Sequence, residues 1–210
     1  GLPASDADNL IVRPWNDLPL LQETFRRYAH EIAGVICEAI MCNNGGILPR
    51  PGYLEGLREL CTKYDALLIF DEVITGFRAS LGGAQEMLGV TPDVATFAKG
   101  MSAGFPVSAI AGKRQFMQAF SGEVTHAGTY NASGPCMAAS VAARDTLGAD
   151  QGALRRHAQA ACRRLMDGIA EVGAASGRRV TIRGFPTAFY VAFNETSPVT
   201  DYRTLMMQDR

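Results

Sequence analysis

The run Ala66-Leu67-Leu68-Ile69-Phe70, with Asp71-Glu72 directly behind it, constrains this chain more than any other feature. A short continuous apolar run between polar residues is the signature of a strand buried under helices, as in parallel sheets. Two acids at its carboxyl end then fall where open α/β sheets bind ligands.

The rest of the chain repeats the theme, with short β-branched or apolar runs alternating with longer amphipathic stretches. That alternation predicts an α/β fold with a mostly parallel sheet flanked by helices. Leu20 to Glu31 reads as a helix, and Val35 to Ile40 as a buried strand ending in the polar loop Asn43-Asn44-Gly45-Gly46. Pro51 opens a helix through Tyr64, since proline suits a first turn where no amide partner is needed. Asp93 to Ala98 and Val107 to Ala111 read as further strands, with Lys99-Gly100 and a glycine-containing bend between them. Gly134 to Leu147 and Gln151 to Ala175 read as helices. The pattern then changes: Val180 to Phe185 and Ala188 to Phe193 read as adjacent strands, followed by a helix start near Thr200. Residues 1–176 are therefore expected to form a large sheet domain, and residues 177–210 to begin a smaller α+β domain.

Twenty basic against twenty-one acidic residues, with no basic block, argue against general nucleic-acid binding. The longest apolar runs fall far short of the ~20 residues that cross a bilayer, so no membrane partner is expected. Five cysteines without a C-x-x-C pair argue against a disulfide framework or zinc knuckle and point to a reducing cytoplasm. A start at Gly1-Leu2-Pro3 and an end at Gln208-Asp209-Arg210, inside a helix-like stretch, suggest an internal piece of a longer chain.

An Asp-Glu strand end admits several chemistries. Holding magnesium for nucleotide hydrolysis requires a glycine loop ending in Gly-Lys-Ser or Gly-Lys-Thr, but the only Gly-Lys step, Gly112-Lys113, precedes Arg114. An acidic helix cap is the bland alternative. The third reading pairs an acid with a lysine at a neighbouring strand end. Of three lysines, Lys63 in an amphipathic helix and Lys113 beside Arg114 read as solvated surface charge, whereas Lys99 follows apolar or small residues. Burial at the sheet rim would lower its pKa and free an amine able to attack a carbonyl; a structural ion pair with Asp71 remains the alternative. A carboxylate at Asp71 could instead keep a pyridine nitrogen protonated, making the ring an electron sink for an amino-acid carbanion. His126-Ala127-Gly128-Thr129-Tyr130-Asn131 offers a glycine, a hydroxyl and a turn suited to a phosphate. His126 itself reads as a hydrogen-bonded structural residue, and the glycines between Gly82 and Gly89, with Gly100 and Gly104, as turn residues.

Taken together, Pro51-Gly52-Tyr53-Leu54-Glu55-Gly56-Leu57-Arg58, Leu68-Ile69-Phe70-Asp71-Glu72-Val73-Ile74-Thr75-Gly76-Phe77-Arg78, Gly89-Val90-Thr91-Pro92-Asp93, Ala98-Lys99-Gly100 and Ala127-Gly128-Thr129 resemble one family. It is that of the class III aminotransferases, fold-type I pyridoxal phosphate enzymes, and within it the glutamate-1-semialdehyde 2,1-aminomutase group. The resemblance implies the large domain of that fold with the start of its small carboxyl-terminal domain. It implies pyridoxal 5'-phosphate as cofactor, Lys99 as the Schiff-base lysine, Asp71 as partner of the ring nitrogen and Val73 packed on a ring face. It implies further that Thr129, beside Gly128, reaches the phosphate of a neighbouring subunit in a homodimer with a shared active site, and that Glu38 lies near the cofactor pocket. Ala39 stands where the family's Glu-Pro motif has proline, and Tyr130-Asn131-Ala132-Ser133-Gly134-Pro135 replaces the aminomutase pattern Leu-Ser-Gly-Asn-Pro. The expected activity is amino transfer between a small-molecule donor and a carbonyl acceptor. An intramolecular aminomutase and a noncatalytic domain of the same fold are the alternatives.

Overall fold

Alternation along the central strand sets the architecture. In β2 (Leu67–Asp71), Leu68 and Phe70 are fully buried, while Leu67, Ile69 and Asp71 on the opposite face stay partly open. The structure, a computed structural model, describes residues 3–122 and 124–208; the expected limits at Gly1 and Arg210 lie outside them. Two helices cover the buried face. From α2 (Tyr53–Lys63), Leu54, Leu57 and Cys61 recur at helical spacing and join Leu68, Phe70 and Phe25 of α1 (Leu18–Tyr28) in one core cluster. Each such leucine or phenylalanine contributes roughly 1.5–3 kcal/mol by leaving water, so this layer anchors the sheet.

The sheet runs β1-β2-β3-β4. β1 (Gly34–Cys37) and β3 (Val94–Phe97) flank β2 in parallel, as expected, in registers that set Cys37 opposite Phe70 and Asp71 opposite Thr96. β4 (Ala109–Gly112) pairs antiparallel to β3, because the link between them is too short for a helical crossover. Local chemistry moves other boundaries. β1 stops at Cys37 rather than Ile40 because the Glu38 carboxylate accepts the Cys42 and Asn43 amides, at 2.9 and 3.3 Å, and turns the chain. α1 starts at Leu18 because Asp17 accepts the Leu20 amide at 3.0 Å. α2 starts at Tyr53 because Gly52, at φ +80°, occupies the turn before it.

The carboxyl-terminal part starts from the long α6 (Ala153–Ala175) and the hairpin β5–β6 (Val180–Phe185, Ala188–Phe193), whose strands fall where the sequence places them. Arg183 fastens the hairpin to the sheet's loops: it donates from Nε to the Gly45 carbonyl at 2.9 Å and pairs with Glu195 at 2.5 Å. Asn16 adds a second fastening, donating to the carbonyls of Leu48 and Thr200 and accepting the Arg50 amide at 2.7 Å. No described helix is long and apolar enough to cross a membrane.

Lys113 is exposed, as a surface charge is expected to be, but it also has a fixed partner. Its ammonium lies 2.5 Å from Asp93, a buried acid that also accepts Arg58 at 2.7 Å and the Leu68 amide at 2.8 Å. Burial pushes the Asp93 carboxyl up, but the Leu68 amide, Lys113 and Arg58 together outweigh it and hold the carboxyl below its ordinary 3.8. This stabilisation is present in full above pH 3.8 and is lost as the pH falls through the lower native value. Asp93→Asn should therefore cost about 1.5–3 kcal/mol in urea unfolding at neutral pH, and the difference from wild type should shrink on acidification through that range.

Candidate active site

Parallel pairing brings the carboxyl ends of β1, β2 and β3 to one edge of the sheet. Glu38 follows β1, Asp71 ends β2 and Lys99 lies just beyond β3. Cys42 lies in the loop that follows β1. Burial first, then Glu38, pushes its thiol up to about 12, and Arg78, Glu72 and Lys99 act on the same sulfur. Glu38 and Glu72, one residue after β1 and β2, and Lys99, two residues after β3, thus act on one sulfur.

Asp71 is oriented by its own backbone. Oδ1 accepts the Val73 amide at 2.9 Å and a long bond from Thr96 Oγ1 at 3.5 Å; Oδ2 takes part in neither. One carboxylate oxygen is fixed and the other is left for a further donor.

Lys99 opens a 3₁₀ turn, Lys99–Ser102, at φ +45°. That left-handed backbone costs an L-residue roughly 1–2 kcal/mol, and strain of this kind collects at functional sites. The turn is closed by the Met101 amide on Ala98 at 3.0 Å and by Ser102 Oγ on Phe105 at 2.6 Å. The sequence reading expects this lysine to be buried, but in this chain it is exposed, because β3 ends at Phe97 and the left-handed turn takes residue 99 out of the pleat. It forms no ion pair with any described residue, so the structural pair with Asp71 is not made.

Glu72 separates from its neighbour. Fully buried, it accepts Ala84 N and Gln85 N, both at 2.8 Å, and the Thr75 hydroxyl. The two acids therefore do not form a joint metal chelate, and no cluster of three or more metal-ligating side chains occurs among the described residues. Glu72 in fact caps α3 (Ala84–Leu88), a helix that the flanking glycines hide from a reading of turns.

The other expected residues are placed less closely. Val73 sits partly exposed beside Asp71. The Glu38 carboxylate is occupied by its own loop, also accepting Asn43 Nδ2 at 3.1 Å. Gly128 and Thr129 lie on an exposed loop leading to α5 (Gly134–Gly148), which packs against the Lys99 turn. His126 is exposed and packs edge-on to Phe120. Two cavities, of about 680 and 320 Å³, take in neither Asp71 nor Lys99.

Residues 6–208 match the family described as Aminotransferase class-III. The chain belongs to that family. It is 41% identical, over its whole length, to a glutamate-1-semialdehyde 2,1-aminomutase of Natranaerobius thermophilus, covering 48% of that protein. A protein of the same name from Desulforudis audaxviator is 42% identical, again with 48% covered. The structure superposes on an omega-transaminase from Sphaerobacter thermophilus with a TM-score of 0.90 at 30% identity, covering 98% of this chain and 47% of that one. A transaminase with PLP bound follows at a TM-score of 0.85 and 27% identity, with 95% and 47% covered. The chain thus spans about half the length of the relatives it matches.

Gly83 is a requirement of this site. At φ +83° and ψ −164° it occupies a region open essentially to glycine alone, and a Cβ there would stand 2.5 Å from Glu72 Oε2. Gly83→Ala should cost at least about 1–3 kcal/mol in equilibrium unfolding, whereas Gly89→Ala, also at positive φ but with no atom within 4 Å of an added Cβ, should cost less.

Proposed function

We propose that the complete protein is a pyridoxal phosphate-dependent aminotransferase that moves an amino group from a small-molecule amine or amino acid to an oxo acid or aldehyde. The observation that carries this reading is the placement of Asp71, with one oxygen pinned, and of Lys99, without an ion partner among the described residues, at and just beyond the ends of adjacent parallel strands. These groups fit the cofactor's chemistry: a carboxylate to accept from a protonated ring nitrogen and an amine for an aldehyde. When bound, the cofactor supplies an aldehyde that takes up amino groups and a cationic ring that accepts electrons from the substrate's α-carbon.

This chain's residues would share the remaining work. Lys99 Nζ would hold the cofactor and, once displaced by the substrate amine, take the proton from the α-carbon as general base and return it as general acid. Asp71 would keep the ring nitrogen protonated, with Val73 against a ring face and Glu38 at the pocket's edge. Gly128 and Thr129 would bind the phosphate of a second subunit, making the active site one shared across a homodimer; the exposure of their loop supports that assignment. The same reading makes residues 177–210 the beginning of a small domain and places the enzyme in the cytoplasm, where free thiols such as the five here persist.

A second reading, an intramolecular aminomutase, is supported by the 41% identity, over the whole chain, to a curated relative of that name. Supplying glutamate 1-semialdehyde without an amino acceptor separates the two. Formation of 5-aminolevulinate supports the mutase, and dependence on an added amino acceptor supports the transaminase.

The complete protein reconstituted with pyridoxal phosphate should show the visible absorbance of a lysine-bound cofactor, and Lys99→Ala should abolish it; an unchanged spectrum in that variant refutes the assignment. Asp71→Ala should still bind cofactor but turn over about 100-fold or more slowly.

A further inference from the structure

We propose that Glu72 is a positioning residue for the reaction: its buried carboxylate pins the loop of residues 73–83 and thereby fixes Asp71 and Lys99 relative to one another. The inference rests on the reading of those two residues as the cofactor's partners.

Period-two alternation sends Asp71 toward the open face and Glu72 into the core. There Glu72 meets only neutral donors. Oε2 accepts the Thr75 hydroxyl and Ala84 N; Oε1 accepts Gln85 N at 2.8 Å and Gln85 Nε2 at 3.4 Å. No described cation pairs with it. A fully buried carboxylate without a counter-ion is costly, and an apolar side chain of similar volume would serve the core better. What it gains is closure of a loop, because its donors lie at both ends of the 73–83 segment.

That loop touches both functional residues. At one end the Val73 amide holds Asp71 Oδ1 at 2.9 Å. In its middle, Gly76, Phe77 and Arg78 form the bed of Gly100, the residue after Lys99: a Cβ built on Gly100 would lie 3.2 Å from Gly76 O and 3.7 Å from Phe77 Cβ. Gly76 N donates to the Glu72 carbonyl at 2.8 Å, and Phe77 packs edge-on to Phe97, the last residue of β3, with ring centroids 6.0 Å apart. Displacing the loop therefore moves the Lys99 turn against Asp71. The loop also receives Gln159 of α6 on Ala79 O and Thr187 of the hairpin on Arg78 O, both at 3.1 Å, so it joins the sheet to the carboxyl-terminal elements.

The test uses the complete, cofactor-loaded enzyme with Glu72→Gln and Thr75→Val. A glutamine keeps the shape but aims an amide donor at one of the two backbone amides, whereas Thr75→Val removes a single donor. For Glu72→Gln we expect faster hydrogen exchange in residues 73–83 and a shifted pH midpoint of the cofactor's visible absorbance. We also expect kcat to fall about 10- to 100-fold with KM changed less than about threefold, the signature of misplacement rather than lost binding. For Thr75→Val the same direction is expected at smaller size, and this variant decides the matter if Glu72→Gln does not fold. Faster exchange with kcat and the absorbance midpoint unchanged would make Glu72 a structural residue only and overturn the proposal. Failure of the underlying reading looks different: the wild-type enzyme would then lack an absorbance that depends on Lys99.

Discussion

The parallel ladder between β2 and β3 is the constraint on which the site depends. It sets Asp71 opposite Thr96 and delivers Lys99 a few residues further along the same edge. Because the strand's side chains alternate, two consecutive acids leave it in opposite senses, Asp71 toward the open face and Glu72 toward the core. One register thus assigns different work to neighbouring carboxylates: one is left a free oxygen, and the other has both oxygens taken up by donors. A slip of one residue would exchange the two and remove both functions at once.

How legible this was in the sequence depended on how local the deciding interaction is. The hairpin β5–β6 was readable because its apolar strands and tight connection are specified by neighbouring residues. The apolar run of β2, the acid at its end and the isolation of Lys99 among three lysines were readable for the same reason. α3 was not, because Glu72, twelve positions before Ala84, supplies its cap, and the flanking glycines read first as turns. The Lys113–Asp93 pair escaped for a related reason, since it joins residues from either end of the β3–β4 hairpin while the local sequence shows only adjacent basic residues.

Burial of Lys99 was the expectation that failed, and the reason is physical. Five apolar or small residues before it do cover the strand, but cover ends with the strand, and the left-handed turn at residue 99 begins just beyond Phe97. A sequence pattern reports on the pleat it belongs to and carries no information about the loop that follows.

The open surfaces around the site follow from how much of the family's fold the chain represents. A parallel sheet is ordinarily covered on both faces, yet Ile36 of β1 is 66% exposed and Tyr130, next to Thr129, is 89% exposed. In relatives about twice as long, further elements are available to cover such surfaces. What this chain retains is the part whose geometry is set internally: the strand ends, the loop fastened by Glu72 and the strained turn at Lys99. Those features need no further chain, because their donors and acceptors all lie within the described residues. The positions of Asp71 and Lys99 are therefore properties of this segment's own folding, set by the β2–β3 register and by the loop and turn that follow it.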